Sequence, residues 1–154
     1  MDITIRKATD KDLPAIFTLV KELAEFENGL HKVSNSLELI QEEKDFFQCY
    51  VAEKDEEVVG MALYYFVYYT WVGKSLYLED LYVKQAFRGQ NIGTLLMEKM
   101  MEVAKQENCK RFRLQVLNWN EPAIGFYEKN GFTVDKEWYN CDIHDFSRII
   151  KTNR

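Results

Sequence analysis

Residues 86–104 have the sequence AFRGQNIGTLLMEKMMEVA, in which a polar loop leads into an amphipathic segment. The loop contains two glycines, Gly89 and Gly93. After it, apolar residues recur at helical spacing: Ile92, Leu95, Leu96, Met100, Val103 and Ala104. The preceding segment, SLYLEDLYV (75–83), is rich in Leu, Tyr and Val, which is typical of a strand. The chain is therefore predicted to pass from a strand into a helix through a glycine loop.

A glycine loop at the start of a helix favours the binding of an anion. The first helical amides have no intrahelical partner, and the helix dipole adds positive potential there. Gly89 and Gly93 permit close approach to the backbone, and Asn91 tolerates a positive φ. Arg88 adds a permanent positive charge, so the ligand we expect is a phosphate or pyrophosphate. Neither GxxxxGK[ST] nor GxGxxG is present, and the loop alone fits a tight packing turn equally well.

Length and composition predict a single domain over residues 1–154. The 154 residues are 47% hydrophobic and 29% charged, as in globular proteins. No apolar run of membrane-spanning length and no signal-peptide stretch occurs, so we expect no membrane association. The net charge of -5 argues against a nucleic-acid partner.

The cysteines indicate neither a metal site nor a disulfide framework. Cys49, Cys109 and Cys141 are widely spaced, and no CxxC pair is present. Only His144 stands near a cysteine, Cys141, and one such pair supplies too few ligands for a zinc site, so we expect no bound metal. Buried free thiols are typical of a reducing compartment, which predicts a cytoplasmic location.

The rest of the chain predicts an α/β fold with a mixed sheet. A capping arrangement of Thr9 and Asp12 precedes a helix from Leu13 to about Phe26. Asn120 opens a later helix that Gly131 closes as a left-handed cap. The other predicted elements are a short helix in LELIQEE and strands in ITIRKA, FQCYVAEK, VVGMALYYFVYYTW, LYLEDLYVK, KRFRLQVL and FTVDKEWYNCDI. Hairpins come first and strand–helix alternation later, which predicts antiparallel pairing followed by parallel pairing.

Two motifs together resemble those of a known family. Arg88-x-x-Asn91-x-Gly93 follows a strand, and NEPAIGFYEKNGF (120–132) follows further along. This combination resembles the Gcn5-related N-acetyltransferase (GNAT) superfamily, whose loop holds the pyrophosphate of acetyl-CoA. The chain is most similar to diamine, or spermidine/spermine, N-acetyltransferases over nearly its whole length. Further counterparts are IRKAT, IFTLVKELAEFE, YVAE, VVGMALYYF and WVGKSLYLEDLYV.

The resemblance implies a central mixed sheet flanked by helices, with strands that splay apart at an acetyl-CoA site. It implies that the cosubstrate contacts the end of one strand, the glycine loop and the start of the later helix. The implied cosubstrate contacts are Leu81, Tyr82, Val83, Arg88, Gly89, Gln90, Asn91, Ile92, Gly93, Thr94, Asn120, Glu121, Pro122, Ala123, Tyr127 and Lys129.

Acetyl transfer to an amine first requires a proton acceptor. Deprotonating an alkylammonium at pH 7 costs about 4–5 kcal/mol, and a carboxylate can take the proton. Glu79 and Asp80 lie in a strand whose two faces are largely apolar, where unpaired acids are costly. Adjacent strand residues point to opposite faces, so we expect the two acids to have different roles. The resemblance favours Glu79 as the base or a substrate contact; the alternative is a solvated strand end.

The leaving thiolate requires an acid, and the developing oxyanion requires hydrogen-bond donors. The Tyr127 hydroxyl can donate to a thiolate of similar basicity. A Phe-Tyr pair on a helix more often packs in a core, but the motif match favours the acid role. The resemblance also implies that backbone amides from Leu81 to Val83 contact the thioester, as oxyanion donors do.

The substrate side of the predicted site is acidic and aromatic. Glu22, Glu25 and Glu27 lie at the end of the first helix, where a solvated charged face is the simplest interpretation. The segment YYFVYYTW is expected mostly to pack in the core, but Trp71 and some of its tyrosines could wall a channel for an ammonium group through cation–π contact. Tyr69-Thr70 replace an Asp-Pro pair of the polyamine enzymes, so one acidic contact for a long polycation is absent. The substrate contacts that the resemblance implies are Phe26, Glu27, Trp71, Glu79 and Asp80.

The sequence predicts an acetyl-CoA-dependent N-acetyltransferase acting on a small cationic primary amine by direct attack. No serine or cysteine lies in a nucleophile motif, so no covalent intermediate is implied. The acceptor could be a diamine, a polyamine or a lysine-like amine such as thialysine. The alternatives are acetylation of a protein or peptide amine and a non-catalytic acyl-CoA sensor. The resemblance also implies a homodimer, with EWYNCDI near its interface.

Overall fold

The computed structural model describes residues 2–147 of the chain. Within these residues the chain forms five strands and four α-helices, joined by turns and short 3-10 segments. In chain order they are β1 (Thr4–Lys7), α1 (Leu13–Phe26), α2 (Leu37–Glu42), β2 (Gln48–Lys54), β3 (Glu57–Tyr69), β4 (Gly73–Val83), α3 (Ile92–Gln106), β5 (Arg111–Leu114) and α4 (Glu121–Lys129).

The chain divides into two compact units, with the boundary along the sequence between Gln115 and Val116. The first unit contains the sheet and helices α1–α3, and the second contains α4. The single domain over 1–154 stays a prediction. None of the helices within 2–147 has the length and apolar composition that crossing a lipid bilayer requires.

The five strands form one sheet in the order β1-β2-β3-β4-β5. The first three pairings are antiparallel, and β4 pairs with β5 in parallel. This confirms the predicted mixed sheet. A parallel pair needs a long crossover, and the glycine loop with α3 provides it between β4 and β5. The strand predicted over KRFRLQVL (110–117) is shorter in the structure, where β5 ends at Leu114.

Two departures from regular pairing occur together in β4. Leu63 of β3 lies opposite Asp80, whereas Tyr64 lies opposite Leu78. Glu79 is therefore an extra residue, as in a β-bulge. The parallel pairing with β5 also ends at Leu78↔Leu114, although β4 continues to Val83. The strands separate at the point where the bulge begins, as the predicted splay requires.

Helices α1 and α3 supply most of the apolar side chains that cover the sheet. Ile16 and Leu19 of α1 are fully buried among residues of β2, β3 and β4. The α1-side core comprises Leu13, Ile16, Leu19, Cys49, Val51, Met61, Leu63 and Tyr82. The buried side chains of α3 are Ile92, Leu96, Met97, Met100 and Val103. The helical periodicity seen in the sequence thus corresponds to buried faces.

The capping arrangement before α1 is confirmed and is reinforced by an arginine. The backbone N–H of Thr9 donates to the Asp12 carboxylate at 2.7 Å. The Arg6 guanidinium donates to both oxygens of Asp12, at 2.8 and 3.0 Å, and to Glu53 at 2.9 Å. The hydrogen bonds from Arg6 lower the pKa of Asp12 to about 2, although burial opposes this shift. This cluster joins β1, β2 and the start of α1.

Two expectations for the chain beyond α4 were wrong. FTVDKEWYNCDI (132–143) forms no strand within the described residues. A strand needs a hydrogen-bonding partner, and the described part of this unit contains no other strand. The thiols also differ in burial: Cys49 is buried, Cys109 is half-buried and Cys141 is exposed. Cys141 is exposed because it belongs to this same irregular segment.

We expect Asp12→Ala to lower the free energy of unfolding by about 2–3 kcal/mol at pH 7, since it removes a helix cap and leaves Arg6 with fewer partners. The Asp12 pKa is lowered on folding, so its contribution is present above pH 4 and disappears as the pH falls toward 2. Urea denaturation of wild type and variant at pH 7 and pH 3 measures both effects.

The matched control is Asp10→Ala, two residues away. Asp10 is mostly exposed and forms a surface ion pair with Lys44, at 2.6 Å, so its loss should cost less than about 1 kcal/mol. Equal losses for the two variants would contradict the role assigned to Asp12.

Candidate active site

The glycine loop has the backbone conformation that its residues predicted. Gly89 has φ +81° and Asn91 has φ +66°, both in the left-handed region. A Cβ atom at Gly89 would meet nothing within 4 Å, so backbone conformation rather than crowding favours glycine there. Asn91 is the N-cap of α3, and in the described chain its side chain makes no capping hydrogen bond. The first amides of α3 therefore remain available to a ligand.

Arg88 is held in place beside this loop. Its Nε donates to the Val83 carbonyl at 3.0 Å. The guanidinium carbon lies 5.2 Å from the centre of the Phe26 ring and 5.4 Å from that of Tyr82. Cation–π contact of this kind is attractive. Arg88 thus fixes a positive charge between the end of α1, the end of β4 and the loop.

Beyond the last pairing with β5, one edge of β4 is open. Leu81, Tyr82 and Val83 pair with β3 on one side. On the other side, no strand in the described residues pairs with β4 after Leu78. The amides of a strand point alternately to its two edges. This stretch of β4 can therefore offer backbone hydrogen bonds to a bound group.

A cleft of about 460 Å³ lies next to the bulge. Its walls come from α1, from the segment between α1 and β2, and from β3 and β4. The lining residues are Phe17, Val20, Asn35, Ile40, Glu43, Phe46, Phe47, Leu63, Glu79 and Asp80. The cleft therefore combines aromatic and aliphatic walls with three carboxylates.

The expectation that Glu79 and Asp80 point to opposite faces was wrong. Both residues line the same cleft. Strict alternation requires regular pairing, and the extra residue at Glu79 interrupts it. Asp80 consequently lies opposite Leu63, on the face that α1 covers. The two carboxylates can act on the same bound molecule.

The two carboxylates differ in environment. Asp80 is half-buried, and burial raises its pKa to about 7, with further contributions from the negative charges of Glu79 and Glu27. Glu79 is exposed and accepts a hydrogen bond of 2.8 Å from the Tyr65 hydroxyl. Glu27 directly follows α1, and its pKa is raised mainly by burial and further by the negative charge of Glu79. The three acids form a negative site in which Asp80 can exchange a proton near neutral pH.

The other acids of α1 have different surroundings. Glu22 forms an ion pair with Lys84 at 2.9 Å and accepts a 3.3 Å hydrogen bond from the Tyr82 hydroxyl. It therefore connects α1 to the end of β4. Glu25 is exposed, as expected for a solvated charged face. Of the three glutamates in this stretch, Glu27 is the one that interacts electrostatically with Glu79 and Asp80.

The structure does not bring the two predicted aromatic contacts into the cleft. Trp71 lies in the turn between β3 and β4 and is 84% exposed. The last paired residues before this turn are Tyr69 and Gly73, and Glu79 lies six residues after Gly73 in β4. Phe26 stacks beside Arg88 and is absent from the cleft walls.

Sequence reasoning missed most of the cleft walls. Phe46 and Phe47 precede β2, and Phe46 is 79% exposed although it is aromatic. Two adjacent phenylalanines in a polar segment were the signal in the sequence that could have identified this wall of the cleft. The sequence indicated that some tyrosines of YYFVYYTW could wall the channel, but no pattern distinguished Tyr65, which hydrogen bonds to Glu79, from the others.

In the second unit, the predicted helix and its caps are confirmed. The Asn120 side chain is buried and accepts a 3.3 Å hydrogen bond from the Ala123 amide. At the other end, Gly131 has φ +97°. The Tyr127 ring lies edge-on to Phe126 and Phe132, with ring centres 5.6 and 5.8 Å away. Glu121, Pro122 and Lys129 are exposed.

Comparison with known proteins gives one family. The model of the acetyltransferase (GNAT) family matches residues 14–132. The chain is 43% identical over 136 residues to thialysine N-epsilon-acetyltransferase of Mus musculus, which covers 80% of each chain. It is 40% identical over 153 residues to the enzyme of the same name from Sus scrofa, covering 90% of each.

A more distant relative and a solved structure agree with this result. The chain is 36% identical over 138 residues to spermidine/spermine N(1)-acetyltransferase-like protein 1 of Homo sapiens, covering 82% of this chain and 20% of that protein. The crystal structure of aminoglycoside acetyltransferase HMB0005 from an uncultured soil metagenomic sample matches with a TM-score of 0.76 and 22% identity, covering 94% and 100% of the two chains. At that identity the match concerns the fold alone.

Proposed function

Because the chain belongs to the GNAT acetyltransferase family, we propose that it transfers the acetyl group of acetyl-CoA to a lysine-like primary amine. The observation that carries this proposal is the acidic cleft at the bulge of β4. It combines a negative charge that attracts an ammonium group with a carboxyl group, Asp80, whose pKa is raised to about 7.

The first unit has residues suited to hold the cosubstrate. The open amides at the start of α3 and the charge of Arg88 fit its pyrophosphate. The open edge of β4 from Leu81 to Val83 fits an amide-containing chain that hydrogen bonds to backbone. Acetyl-CoA supplies the activated thioester. The resemblance adds Gln90, Thr94, Asn120, Glu121, Pro122, Ala123 and Lys129 as contacts.

The acids then act on the amine in sequence. Glu27 and Glu79 attract the ammonium group electrostatically, and Asp80 accepts its proton. The neutral amine attacks the thioester carbonyl directly, and no side chain becomes acylated. The resemblance favours Glu79 as the base, whereas burial and the raised pKa favour Asp80. A base that titrates near the working pH is the more effective one.

Tyr127 is the proposed acid for the leaving thiolate, an assignment that comes from the resemblance. Contacts with Phe126 and Phe132 in its own unit hold the ring in a fixed orientation. A fixed hydroxyl delivers its proton with less loss of conformational freedom.

Two observations favour a lysine-like acceptor over a long polyamine. Relatives that are 40–43% identical over most of both chains are thialysine N-epsilon-acetyltransferases by name. In addition, Tyr69-Thr70 lack the acid of the Asp-Pro pair expected for polyamine enzymes. The homodimer and the cytoplasmic location implied at the sequence level stay predictions.

The function is tested by measuring the free coenzyme A that is released from acetyl-CoA in the presence of one acceptor at a time. The acceptors are thialysine, lysine, putrescine, spermidine and a peptide with a free N-terminal amine. We expect the highest kcat/KM for thialysine or lysine. Binding of acetyl-CoA without turnover of any amine would instead support a sensor, and a preference for the peptide would support protein acetylation.

The pH dependence of kcat/KM separates the two carboxylates. We expect the wild-type rate to rise with pH through a midpoint near 7, because Asp80 must be ionised to accept a proton. Asp80→Asn should remove this midpoint and lower kcat/KM by about a hundredfold or more. Glu79→Gln should retain the midpoint but shift it to a slightly lower pH, because Asp80 loses a negatively charged neighbour. If only Glu79→Gln removed the midpoint, Glu79 would be the base.

We expect Tyr127→Phe to lower kcat by about a hundredfold, because the thiolate loses its proton donor. The dissociation constant of acetyl-CoA should stay within about twofold of wild type, since one hydroxyl contributes little to a large ligand. Rapid-mixing kinetics and calorimetry measure the two quantities. Tyr139→Phe, at a tyrosine that is 92% exposed, is the matched control; an unchanged kcat for Tyr127→Phe would remove Tyr127 from the acid role.

A further inference from the structure

The sheet face that carries the acidic cleft continues toward the β3–β4 turn as a row of tyrosines that ends at two arginines. Tyr65 lies opposite Tyr77, and Tyr77 lies beside Arg113 of β5. Side chains of neighbouring residues in register share a face, and alternate residues of a strand do so as well. Tyr69 and Arg111 therefore belong to the same face. We refer to Arg111 and Arg113 as the arginine pair.

The arginine pair surrounds one aromatic ring. The guanidinium carbon of Arg111 lies 4.9 Å from the centre of the Tyr69 ring, and that of Arg113 lies 4.7 Å from it. Within residues 2–147 neither guanidinium has an ion-pair partner, although five other basic residues do. Two like charges on one ring repel each other, and an anion between them would relieve that repulsion. Guanidinium groups bind carboxylates in a bidentate manner.

Tyrosines connect this positive end to the acidic end. Tyr65 stacks on Tyr77 with ring centres 5.4 Å apart and donates a hydrogen bond to Glu79. The pKa of Tyr77 is raised to about 12, mainly by burial; the charge of Glu79 raises it further and that of Arg113 lowers it. The Tyr77 hydroxyl is therefore within electrostatic range of both ends. The surface is negative at one end, aromatic in the middle and positive at the other.

The separation of the two ends fits an amino acid with an amine at the end of its side chain. Glu79 lies two residues along β4 from Tyr77, and Tyr77 lies opposite Arg113 on the neighbouring strand β5. These two spacings place the Cα atoms of Glu79 and Arg113 about 8 Å apart. An extended lysine has six bonds between its terminal nitrogen and its carboxylate carbon, roughly 7 Å. A hydrogen bond of about 2.9 Å at each end extends this reach to ~13 Å. This reach is longer than the separation of the two Cα atoms. The Arg113 side chain can therefore extend away from Glu79, toward Tyr69, and still contact the carboxylate.

We propose that Arg113, assisted by Arg111, binds the α-carboxylate of an amino-acid acceptor whose side-chain amine lies at Glu79 and Asp80. This inference rests on the proposed function and adds a determinant of specificity to it. A diamine or polyamine would bring its second ammonium group to the arginine pair without a carboxylate to bind there and be repelled, whereas the α-ammonium group of an amino acid is accompanied by its carboxylate. The same surface therefore favours lysine-like amino acids over amines of equal length that lack a carboxylate.

The test compares two acceptors that differ only in the carboxylate: thialysine and bis(2-aminoethyl) sulfide, which is thialysine without it. For Arg113→Gln we expect kcat/KM for thialysine to fall tenfold or more, as loss of a charge-assisted bidentate contact predicts. For the diamine we expect it to stay within about twofold or to rise. Arg111→Gln should have the same direction and a smaller size.

Lys74→Gln is the matched control. Lys74 also lies over an aromatic ring, Phe66, at 4.7 Å, but it lies opposite Tyr68 on the other face of the sheet. Its loss should leave the ratio of the two kcat/KM values unchanged. The KM for acetyl-CoA, measured with the diamine as acceptor, should be unchanged in all three variants.

Three results would overturn the inference. An equal fall for both acceptors would mean that Arg113 has a general structural role. A raised KM for acetyl-CoA would mean that the arginine pair binds a phosphate of the cosubstrate. An equal change of the ratio in Lys74→Gln would show a non-specific effect of charge. If the wild-type chain acetylated no amine at all, the proposed function would fail first and this inference with it.

Discussion

Between Leu78 and Asp80, β4 contains one residue more than β3 can pair with, and the arrangement of the cleft depends on that extra residue. The bulge directs Glu79 and Asp80 into one cleft. It also coincides with the end of the parallel pairing, after which β4 continues to Val83 without β5. A regular strand would have separated the two acids. One local irregularity therefore provides both the acidic cleft and the open strand edge beside it.

The electrostatics of the cleft differ from those of the acids that stabilise the fold. Asp12 and Glu22 each have a cationic partner, Arg6 and Lys84 respectively. Asp80 instead has carboxylate neighbours and a half-buried position, and both disfavour its ionised form. Such an acid is costly to keep charged. Under the proposed function, a cationic substrate lowers that cost, so the same arrangement both attracts the amine and prepares Asp80 to deprotonate it.

Local patterns predicted much of the fold. Helix α1 begins at Leu13 and ends at Phe26 as its spacing and caps indicated, and Asn91 has the left-handed conformation that its side chain tolerates. The bulge was not predictable, because period-two alternation assumes regular pairing and no glycine marks Glu79. The cleft walls before β2 were missed because they depend on tertiary packing. The strands expected after α4 were wrong because local β-propensity supplies no pairing partner.

The role proposed for Asp80 is tested most directly by a carbon-13 NMR titration of its carboxyl group in the intact chain. A base half-buried at the bulge should titrate with a midpoint near pH 7, and with a lower midpoint in Glu27→Gln, since that substitution removes a nearby negative charge. A midpoint near pH 4 that does not respond to Glu27→Gln would contradict that role. Asp80 would then be an ordinary solvated acid, and the bulge would have no role in deprotonating the amine.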